Sequence, residues 1–414
     1  MAGDVESPYA WLRLIASLAL ATIGGIGLWS VVVVLPVVEA EFGTARAGAS
    51  LPYTFLLIGF AVGNILMGRL ADRFGITLPL CIGALALAAG YIAAGQAQSI
   101  WQFALAHGLI IGLFGSSATF GPIIADISRW FTRNRGIAVA AAACGNYLAG
   151  AIWPPIVQHF VETAGWREAH MGIGIFCCVT ILPLALLLRR RPLADQVGRP
   201  VHGAQPTPQV SADPPTPVVA APGLLQSMLI IAGLACCIAM AMPQVHIVAL
   251  CVDLGFGSDR GAQMLSVMLA TGVVSRLAFG WMADRIGPLP TLLTSSGLQA
   301  LSLLLFLPFN GLAPLFLVSA LFGLAQGGIV PTYAMIVREY FPQSQAGVRI
   351  GIVLSATMIG MAIGGWMSGA IYDATRSYDL AFVNGFLWNL LNIAIAVSLL
   401  LWLPRRPIFR AQPA

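Results

Sequence analysis

The stretch Gly68–Gly75 reads GRLADRFG and the stretch Gly280–Gly287 reads GWMADRIG, so both follow the pattern G-x-x-A-D-R-x-G. Each copy comes directly after an apolar run that is long enough to cross a membrane. The copies also occupy the same place in the two halves of the 414-residue chain. A pattern repeated in register indicates a chain built from two related halves.

Twelve apolar runs surround these motifs. A membrane-spanning helix needs about 20 predominantly apolar residues. Six such runs precede a Pro-rich polar stretch and six follow it, over residues 11–36, 50–72, 77–97, 101–128, 136–160, 169–189, 224–251, 261–283, 289–309, 313–337, 348–371 and 380–403. The sequence therefore predicts an all-α membrane protein with a six-helix bundle over residues 1–190, a cytoplasmic linker over 191–223, a second six-helix bundle over 224–404 and a cytoplasmic tail over 405–414.

The composition agrees with this organisation and excludes several classes of protein. Apolar residues make up 58% of the chain and charged residues 9%, whereas about 25% of the residues in an ordinary soluble domain are charged. A soluble enzyme, a nucleic-acid-binding domain and a disordered chain are therefore excluded. The seven cysteines form no CxxC motif or Cys/His cluster, and the sequence has no phosphate loop or nucleophile–base pair. It predicts neither an enzyme nor a bound metal or cofactor.

The arginines are distributed unevenly between the predicted loops. All 21 basic residues are Arg. If both termini are cytoplasmic, sixteen of them fall on the inner side and four on the outer side, namely Arg46, Arg167, Arg260 and Arg376. An excess of this kind sets the orientation of membrane proteins. It predicts an integral protein of the cell (inner) membrane with cytoplasmic termini, and it accounts for the net charge of +5 without a nucleic-acid partner.

Twelve helices, a central polar linker and the paired G-x-x-A-D-R-x-G loops together resemble the major facilitator superfamily. The resemblance implies two six-helix bundles and one substrate site that opens alternately to the two sides of the membrane. It also implies a gating role for four loop residues that would act as latches between helices, namely Asp72, Arg73, Asp284 and Arg285. The basic residues that usually follow this motif are missing, since the two copies continue with IT and PL.

A narrower resemblance begins at the fifth predicted helix. Residues Arg129–Ala138 read RWFTRNRGIA and lead into an Ala-rich helix that contains Pro154-Pro155, and Gly165-Trp166-Arg167 follows that helix. These features resemble the monocarboxylate transporters and their bacterial oxalate/formate-exchanger relatives. Many of those transporters carry an acidic residue in the first helix, in an Asp-Gly-Gly-Trp-like segment. Residues 24–29 of this chain read GGIGLW and contain no acid.

One arginine lies in the middle of a predicted helix. Arg276 precedes the loop residue Asp284 by eight positions, roughly 12 Å along a helix axis. A charge at that depth costs at least about 2.5–3.5 kcal/mol on insertion scales, and a guanidinium there can hold a carboxylate through two hydrogen bonds. The families named above place a substrate-binding Arg at this distance from the loop acid. Arg276 is therefore the candidate for substrate binding, and helix packing is the alternative.

Two groups on the seventh predicted helix are candidates for proton coupling. Asp253 lies towards the outer end of that helix, where it either caps a loop or faces the outer cavity. In the cavity, its protonation could be coupled to Arg276 and to the substrate charge. His246 lies in the same helix, and a histidine titrates near neutral pH, although a structural histidine is the alternative.

Matching the helices to these families without gaps indicates further residues of the substrate cavity. A second cation of the oxalate-type exchangers, a Lys on the eleventh helix, corresponds to Thr357, and this chain contains no Lys. One cavity cation suits one carboxylate, so the sequence favours monocarboxylates over dicarboxylates. Asn146 and Gln326 could hydrogen-bond a hydroxyl or keto group, or could join helices. The remaining candidates are Leu28, Phe120, Val330 and Tyr333.

The sequence therefore predicts a secondary transporter that moves a small monocarboxylate across the membrane by alternating access, as a proton symporter. An organic-anion exchanger of the oxalate/formate kind, with the same site and without proton coupling, is the alternative. The expected partners are a small carboxylate substrate, protons and the lipid bilayer.

Overall fold

The computed structural model describes residues 6–131, 134–190 and 221–403, and these residues form helices without a β-strand. Most of the predicted linker, the tail over 405–414, and Thr132 and Arg133 of the RWFTRNRGIA segment lie outside the described residues. The helical regions α1 to α12 cover Pro8–Val33, Arg46–Phe74, Thr77–Gly95, Ile100–Trp130, Gly136–Ala164, Trp166–Leu187, Pro222–Asp253, Ser258–Ile286, Pro288–Leu305, Leu312–Tyr340, Gln345–Thr375 and Asp379–Trp402. Each of the twelve predicted runs coincides with one of them, so the predicted all-α class is confirmed.

Eleven of these helices are long and apolar enough to cross a membrane. The remaining helix, α9, has 18 residues and contains several buried polar side chains, which make it less apolar than the others, namely Thr291, Ser295, Ser296 and Gln299. Such side chains in a membrane helix usually hydrogen-bond to neighbouring helices.

The chain divides into two compact units. Among the described residues, the first unit contains α1 to α6, except for the beginning of α2. The second unit contains α7 to α12 together with the short segment Ala45–Ser50, which begins α2. The contacts of Ala45–Ser50 therefore belong to the second unit.

The duplicated motif forms the ends of α2 and α8. Its last residues, Gly75 and Gly287, have φ angles of 86° and 90°. Their backbone N–H groups donate to the carbonyl oxygens of Ala71 and Ala283, at 2.8 and 3.0 Å. Because a positive φ strains any residue that has a Cβ atom, the helix end explains why both copies finish in glycine.

We expect Gly287→Ala to lower the free energy of unfolding by about 1–2 kcal/mol, since alanine is strained at this φ. Gly280→Ala is the matched control, because a Cβ atom on Gly280 meets nothing within 4 Å and alanine favours a helix over glycine. Denaturant titrations in detergent should show Gly280→Ala at or above the wild-type stability. A Gly287→Ala variant as stable as Gly280→Ala would contradict the role given to the final glycine.

A buried ion pair holds one end of the first unit. Arg13 of α1 donates two hydrogen bonds to Asp126 of α4, at 2.7 and 2.9 Å, and the two side chains are 1% and 5% exposed. The same guanidinium donates to the carbonyl oxygens of Leu188 and Arg190, both at 3.0 Å. It also lies 4.6 Å from the ring centroid of Trp130. The ends of α1, α4 and α6 therefore meet at a single guanidinium.

The Gly165-Trp166-Arg167 element holds the opposite end of the first unit. Arg167 donates to Glu41 at 2.6 Å and to two carbonyl oxygens at the end of α3, and the Trp166 indole also donates to Glu41. Burial raises the pKa of Glu41, but these hydrogen bonds and the charge of Arg167 outweigh that effect and lower it below its usual value. The element thus joins α3 and α6 to the short helix Leu35–Phe42 that follows α1.

Polar side chains in the interior of the second unit hydrogen-bond to one another. The Tyr333 hydroxyl donates to Oδ1 of Asn392 at 2.7 Å, and Nδ2 of Asn392 donates to Oγ of Ser296 at 2.8 Å. Nδ2 of Asn389 donates to the carbonyl oxygen of Ser296 at 2.8 Å. This network joins α9, α10 and α12 through groups that would otherwise be unpaired in an apolar interior.

Candidate functional site

The helix α10 is interrupted near its middle. It runs as an α-helix over Leu312–Gln326 and again over Ile329–Tyr340, with Gly327 and Gly328 between the two parts. Carbonyl groups at such a break lose their intrahelical donors and become available to other side chains. The fourth helix of the first unit, α4, is irregular in the corresponding place, since Ala106–Gly115 form a π-helix. Interruptions in corresponding helices of two halves are typical of the substrate region of a transporter.

Arg276 of α8 reaches the break in α10. Its Nε donates a 3.3 Å hydrogen bond to the carbonyl oxygen of Gly327, and the side chain is half-buried. The helices approach closely because Gly327 lacks a side chain: a Cβ atom there would lie 2.2 Å from the carbonyl oxygen of Gly272 and 2.8 Å from Cβ of Ser275. The interrupted helix therefore holds the Nε edge of the guanidinium in place.

Gln326, the residue before Gly327, pairs with Gln244 of α7. Nε2 of Gln244 donates to Oε1 of Gln326 at 2.7 Å, and both residues are at most 2% exposed. The other two amide atoms, Oε1 of Gln244 and Nε2 of Gln326, have no hydrogen-bond partner among the described residues. An unsatisfied buried polar group costs about 1–3 kcal/mol, so this pair contains one acceptor and one donor that are costly to leave without a partner.

A second group of polar side chains surrounds Arg46, at the beginning of α2. Its two terminal nitrogens donate to both carboxylate oxygens of Asp253, at 3.1 and 3.2 Å, and the two side chains are 7% and 27% exposed. The guanidinium lies 4.4 Å from the ring centroid of Tyr372. Asp373 accepts the backbone N–H groups of Arg46 and Ala47, at 2.8 and 2.9 Å, and thereby caps the first turn of α2.

Tyr378 joins Arg46 to His246. Nη1 of Arg46 donates to the Tyr378 hydroxyl at 2.5 Å, and that hydroxyl lies 3.3 Å from Nδ1 of His246. Nε2 of His246 lies 2.8 Å from the carbonyl oxygen of Gly365. A carbonyl oxygen can only accept, so Nε2 carries the proton and Nδ1 accepts from Tyr378. Burial raises the pKa of Tyr378, which keeps its hydroxyl protonated at physiological pH.

Comparison with known proteins decides the family. The model of the Major Facilitator Superfamily matches residues 17–312 and 227–413. The chain belongs to the major facilitator superfamily. Three relatives are Monocarboxylate transporter 13 of Bos taurus (28% identical over 349 residues, 83% of this chain and 78% of the relative), Monocarboxylate transporter 11 of Mus musculus (26% over 406 residues, 92% and 85%) and the MFS transporter asaE of Aspergillus flavus (26% over 324 residues, 78% and 70%). They are transporters rather than enzymes.

Solved structures of the superfamily share the fold of this chain. A bacterial homologue of the human lysosomal transporter Spinster, in an inward-facing and occupied conformation, has a TM-score of 0.66 and 15% identity, covering 96% of both chains. The nucleoside transporter NupG has a TM-score of 0.71 and 13% identity, covering 94% of this chain and all of the other. The predicted resemblance to the superfamily and its twelve-helix fold are confirmed.

In the second unit of this major facilitator protein, the predicted site residues fall into two places. Arg276 donates to the carbonyl oxygen of Gly327, which follows Gln326 in the chain. Asp253 and His246 belong to the network around Arg46. Thr357 is fully buried and donates to the carbonyl oxygen of Leu354 in its own helix. Tyr333 is committed to the network with Asn392, and Val330 is half-buried. Substrate contact by these three side chains stays a prediction.

The candidates of the first unit lie on α1, α4 and α5. Leu28 is 6% exposed, and the half-buried ring of Phe120 has its centroid 5.8 Å from that of Phe60. Asn146 follows a break in α5, its backbone oxygen accepts from the indole of Trp29 at 3.1 Å, and its Oδ1 is buried without a hydrogen-bond partner among the described residues. The predicted roles of these residues in substrate binding stay predictions.

The four predicted latch residues lie on exposed helix ends. Within the described parts of the chain, neither Asp72 nor Asp284 forms a salt bridge. The guanidinium of Arg73 lies 5.2 Å from the ring centroid of Phe74, and that of Arg285 lies 5.0 Å from the ring centroid of Trp281. A gating role for these four residues stays a prediction.

Sequence reasoning missed three residues of these two places. From the sequence, Arg46 is only one of the outer arginines, Tyr378 lies between two predicted helices, and Gln244 is one residue of an apolar run. Gln244 could have been found from its position, because an amide inside an apolar run requires a partner. Arg46 stands out as one of only four arginines on the predicted outer side, directly at the start of a helix.

Proposed function

We propose that this major facilitator transporter moves a small monocarboxylate across the cell (inner) membrane together with a proton, with both termini in the cytoplasm. The observation that carries the proposal is Arg276, a half-buried guanidinium in the middle of α8 that contacts the break in α10. A cation inside a membrane-spanning segment is costly and is typically part of a substrate or ion pathway. The two monocarboxylate transporters among the relatives support the same substrate class.

The chemistry of the site favours one carboxylate. A guanidinium binds a carboxylate through paired, charge-assisted hydrogen bonds. The free acceptor of Gln244 and the free donor of Gln326, next to Gly327 in the chain, can bind a second polar group of the same molecule. A second carboxylate would need a second cation, and the relatives' Lys on the eleventh helix is Thr357 here. Burying that charge without a partner would be strongly unfavourable.

Proton coupling is supported by the network of Asp253 and His246. Both groups can accept a proton, and both connect to the same guanidinium, Asp253 directly and His246 through Tyr378. The side chain of Asp253 is 27% exposed at the end of α7, so one side of its carboxylate is open to a proton. A proton bound here with the substrate would offset the negative charge that a carboxylate carries into the membrane.

Transport by the purified protein in liposomes tests this function. Uptake of radiolabelled acetate, lactate, pyruvate, oxalate and succinate is measured with and without an acidic exterior, and protein-free liposomes correct for passive diffusion of the neutral acids. We expect uptake of monocarboxylates that an inward proton gradient accelerates and a protonophore abolishes. Uptake that requires an anion trapped inside the liposomes and does not change with the proton gradient would instead indicate an exchanger. A preference for oxalate or succinate would contradict the substrate class.

A further inference from the structure

We propose that Arg46 is a positioning residue for proton coupling: it holds the carboxylate of Asp253 through two hydrogen bonds and, through Tyr378, directs the hydroxyl proton of that tyrosine to Nδ1 of His246. The inference rests on the proposed proton coupling and adds Arg46 and Tyr378 to it. It makes Asp253 and His246 parts of one protonation unit rather than two independent groups.

The first step of the argument is that the guanidinium of Arg46 is fixed in place. Its side chain is 7% exposed, and it stacks on the ring of Tyr372 at 4.4 Å. The backbone that carries it is fixed as well, because Asp373 binds the N–H groups of Arg46 and Ala47. A guanidinium held from both sides keeps a constant distance from the carboxylate of Asp253, to which it donates two hydrogen bonds.

The second step is that every hydrogen bond in the network has one possible direction. Arg46 can only donate, so the Tyr378 oxygen accepts from it and the single hydroxyl proton is left for Nδ1 of His246. The other nitrogen of His246 donates to the carbonyl oxygen of Gly365. If Nδ1 took up a proton, the Tyr378 hydroxyl would lose its acceptor and face two donors. Arg46 thus fixes the direction in which the Tyr378 hydroxyl donates.

The third step concerns the charges of the whole network. Among the described residues, the charged groups that contact the network from α2, α7 and α11 are the cation Arg46 and the carboxylates Asp253 and Asp373. With His246 neutral, their formal charges leave one negative charge in excess, and a single added proton neutralises it. A proton added to the carboxylate of Asp253 would release two donors of Arg46, so a change at one group alters the hydrogen bonds of the others. Asp253 and His246 are therefore parts of one hydrogen-bonded unit.

Arg46→Gln tests this inference, with Arg260→Gln as the matched control. Arg260 is an exposed arginine of α8 that binds Gln263, so its removal changes the charge but not the network. Two assays on lactate in proteoliposomes are compared: uptake driven by an inward proton gradient, and counterflow against trapped lactate at equal pH. Net uptake requires the carrier to release its proton in every cycle, whereas counterflow does not.

For Arg46→Gln, we expect the pH profile of gradient-driven uptake to change, because Asp253 and Tyr378 both lose the donors of the guanidinium. Relative to the wild type, the rate of gradient-driven uptake should fall by a factor at least about ten times larger than the rate of counterflow does. Arg46→Lys retains the positive charge but not the paired donors of the guanidinium. Its pH profile of uptake should therefore lie between those of Arg46→Gln and the wild type. Tyr378→Phe should change the profile because His246 loses its donor, and Arg260→Gln should match the wild type.

Three outcomes would overturn the inference. An unchanged pH profile in both Arg46→Gln and Tyr378→Phe would show that the network does not set proton coupling. An equal loss in the two assays, with no rescue by Arg46→Lys, would show that Arg46 only holds the fold. If uptake by the wild type did not depend on the proton gradient, the proposed proton coupling would be wrong, and this inference would be wrong with it. That result is obtained before any variant is made, so it is distinguished from a failure of the inference alone.

Discussion

Arg276→Gln is expected to lose monocarboxylate uptake by about 30-fold to more than 1,000-fold. Truncating one partner of a desolvated, hydrogen-bonded charge pair costs about 2–5 kcal/mol, which corresponds to that range. Glutamine keeps most of the side-chain length and a hydrogen-bond donor for the carbonyl oxygen of Gly327, so the helix contact can survive. Initial rates of lactate uptake into proteoliposomes, over a series of concentrations, measure the loss.

Arg338→Gln is the matched control for this prediction. Arg338 is an exposed arginine of α10, and its replacement should leave uptake close to that of the wild type. Arg276→Lys keeps a positive charge but loses the paired geometry, so we expect an intermediate rate. Thermal unfolding of each variant in detergent shows whether the protein is folded. Wild-type uptake by a folded Arg276→Gln variant would show that the carboxylate binds elsewhere.

Asp126→Asn is expected to lower the free energy of unfolding by about 3–5 kcal/mol, because it leaves the guanidinium of Arg13 buried without its counter-charge. Both side chains are at most 5% exposed, so water cannot replace the lost carboxylate. Arg13→Ala should lower the free energy of unfolding by a similar amount, because it leaves the carboxylate of Asp126 buried without its cation. Denaturant titrations in detergent, followed by tryptophan fluorescence, measure both variants.

Glu41→Gln provides the matched control for the buried pair. Glu41 also binds an arginine through a carboxylate, but its side chain and that of Arg167 are 39% and 33% exposed. An exposed ion pair contributes about 0–1 kcal/mol, so this variant should unfold nearly as the wild type does. A loss as large as that of Asp126→Asn would show that burial is not the cause of the effect. The double variant Arg13→Met, Asp126→Leu should be more stable than either single variant.

Two features of the protein follow from the sequence. Arg276 stands out because a charge inside an apolar run has a local cost that does not depend on its neighbours. The glycines of the duplicated motif were identified from their repetition, and their positive φ angles at two helix ends give the physical reason. The break in α10 had a visible signal in Gly327-Gly328, although its consequence, a free carbonyl oxygen for Arg276, required the packing of α8 against it.

The network around Arg46 did not follow from the sequence. Asp253 and His246 were named as separate candidates, because nothing in the seventh apolar run shows which residues meet its outer end. Arg46 and Tyr378 are 332 positions apart in the chain, and Arg46 and Asp253 are 207 apart. Gln244 and Gln326 pair over 82 positions. Periodicity and composition contain no information about such pairs.

The sequence by itself determined the twelve membrane helices and the arginine in the middle of α8, Arg276, and its motifs resemble those of the major facilitator superfamily. It could do so because a helix in a membrane satisfies its own backbone hydrogen bonds, so an apolar run of about 20 residues is a helix whatever lies beside it. Only the tertiary structure decided which polar side chains share hydrogen bonds. Those partners come from different helices, and their directions depend on how the helices pack.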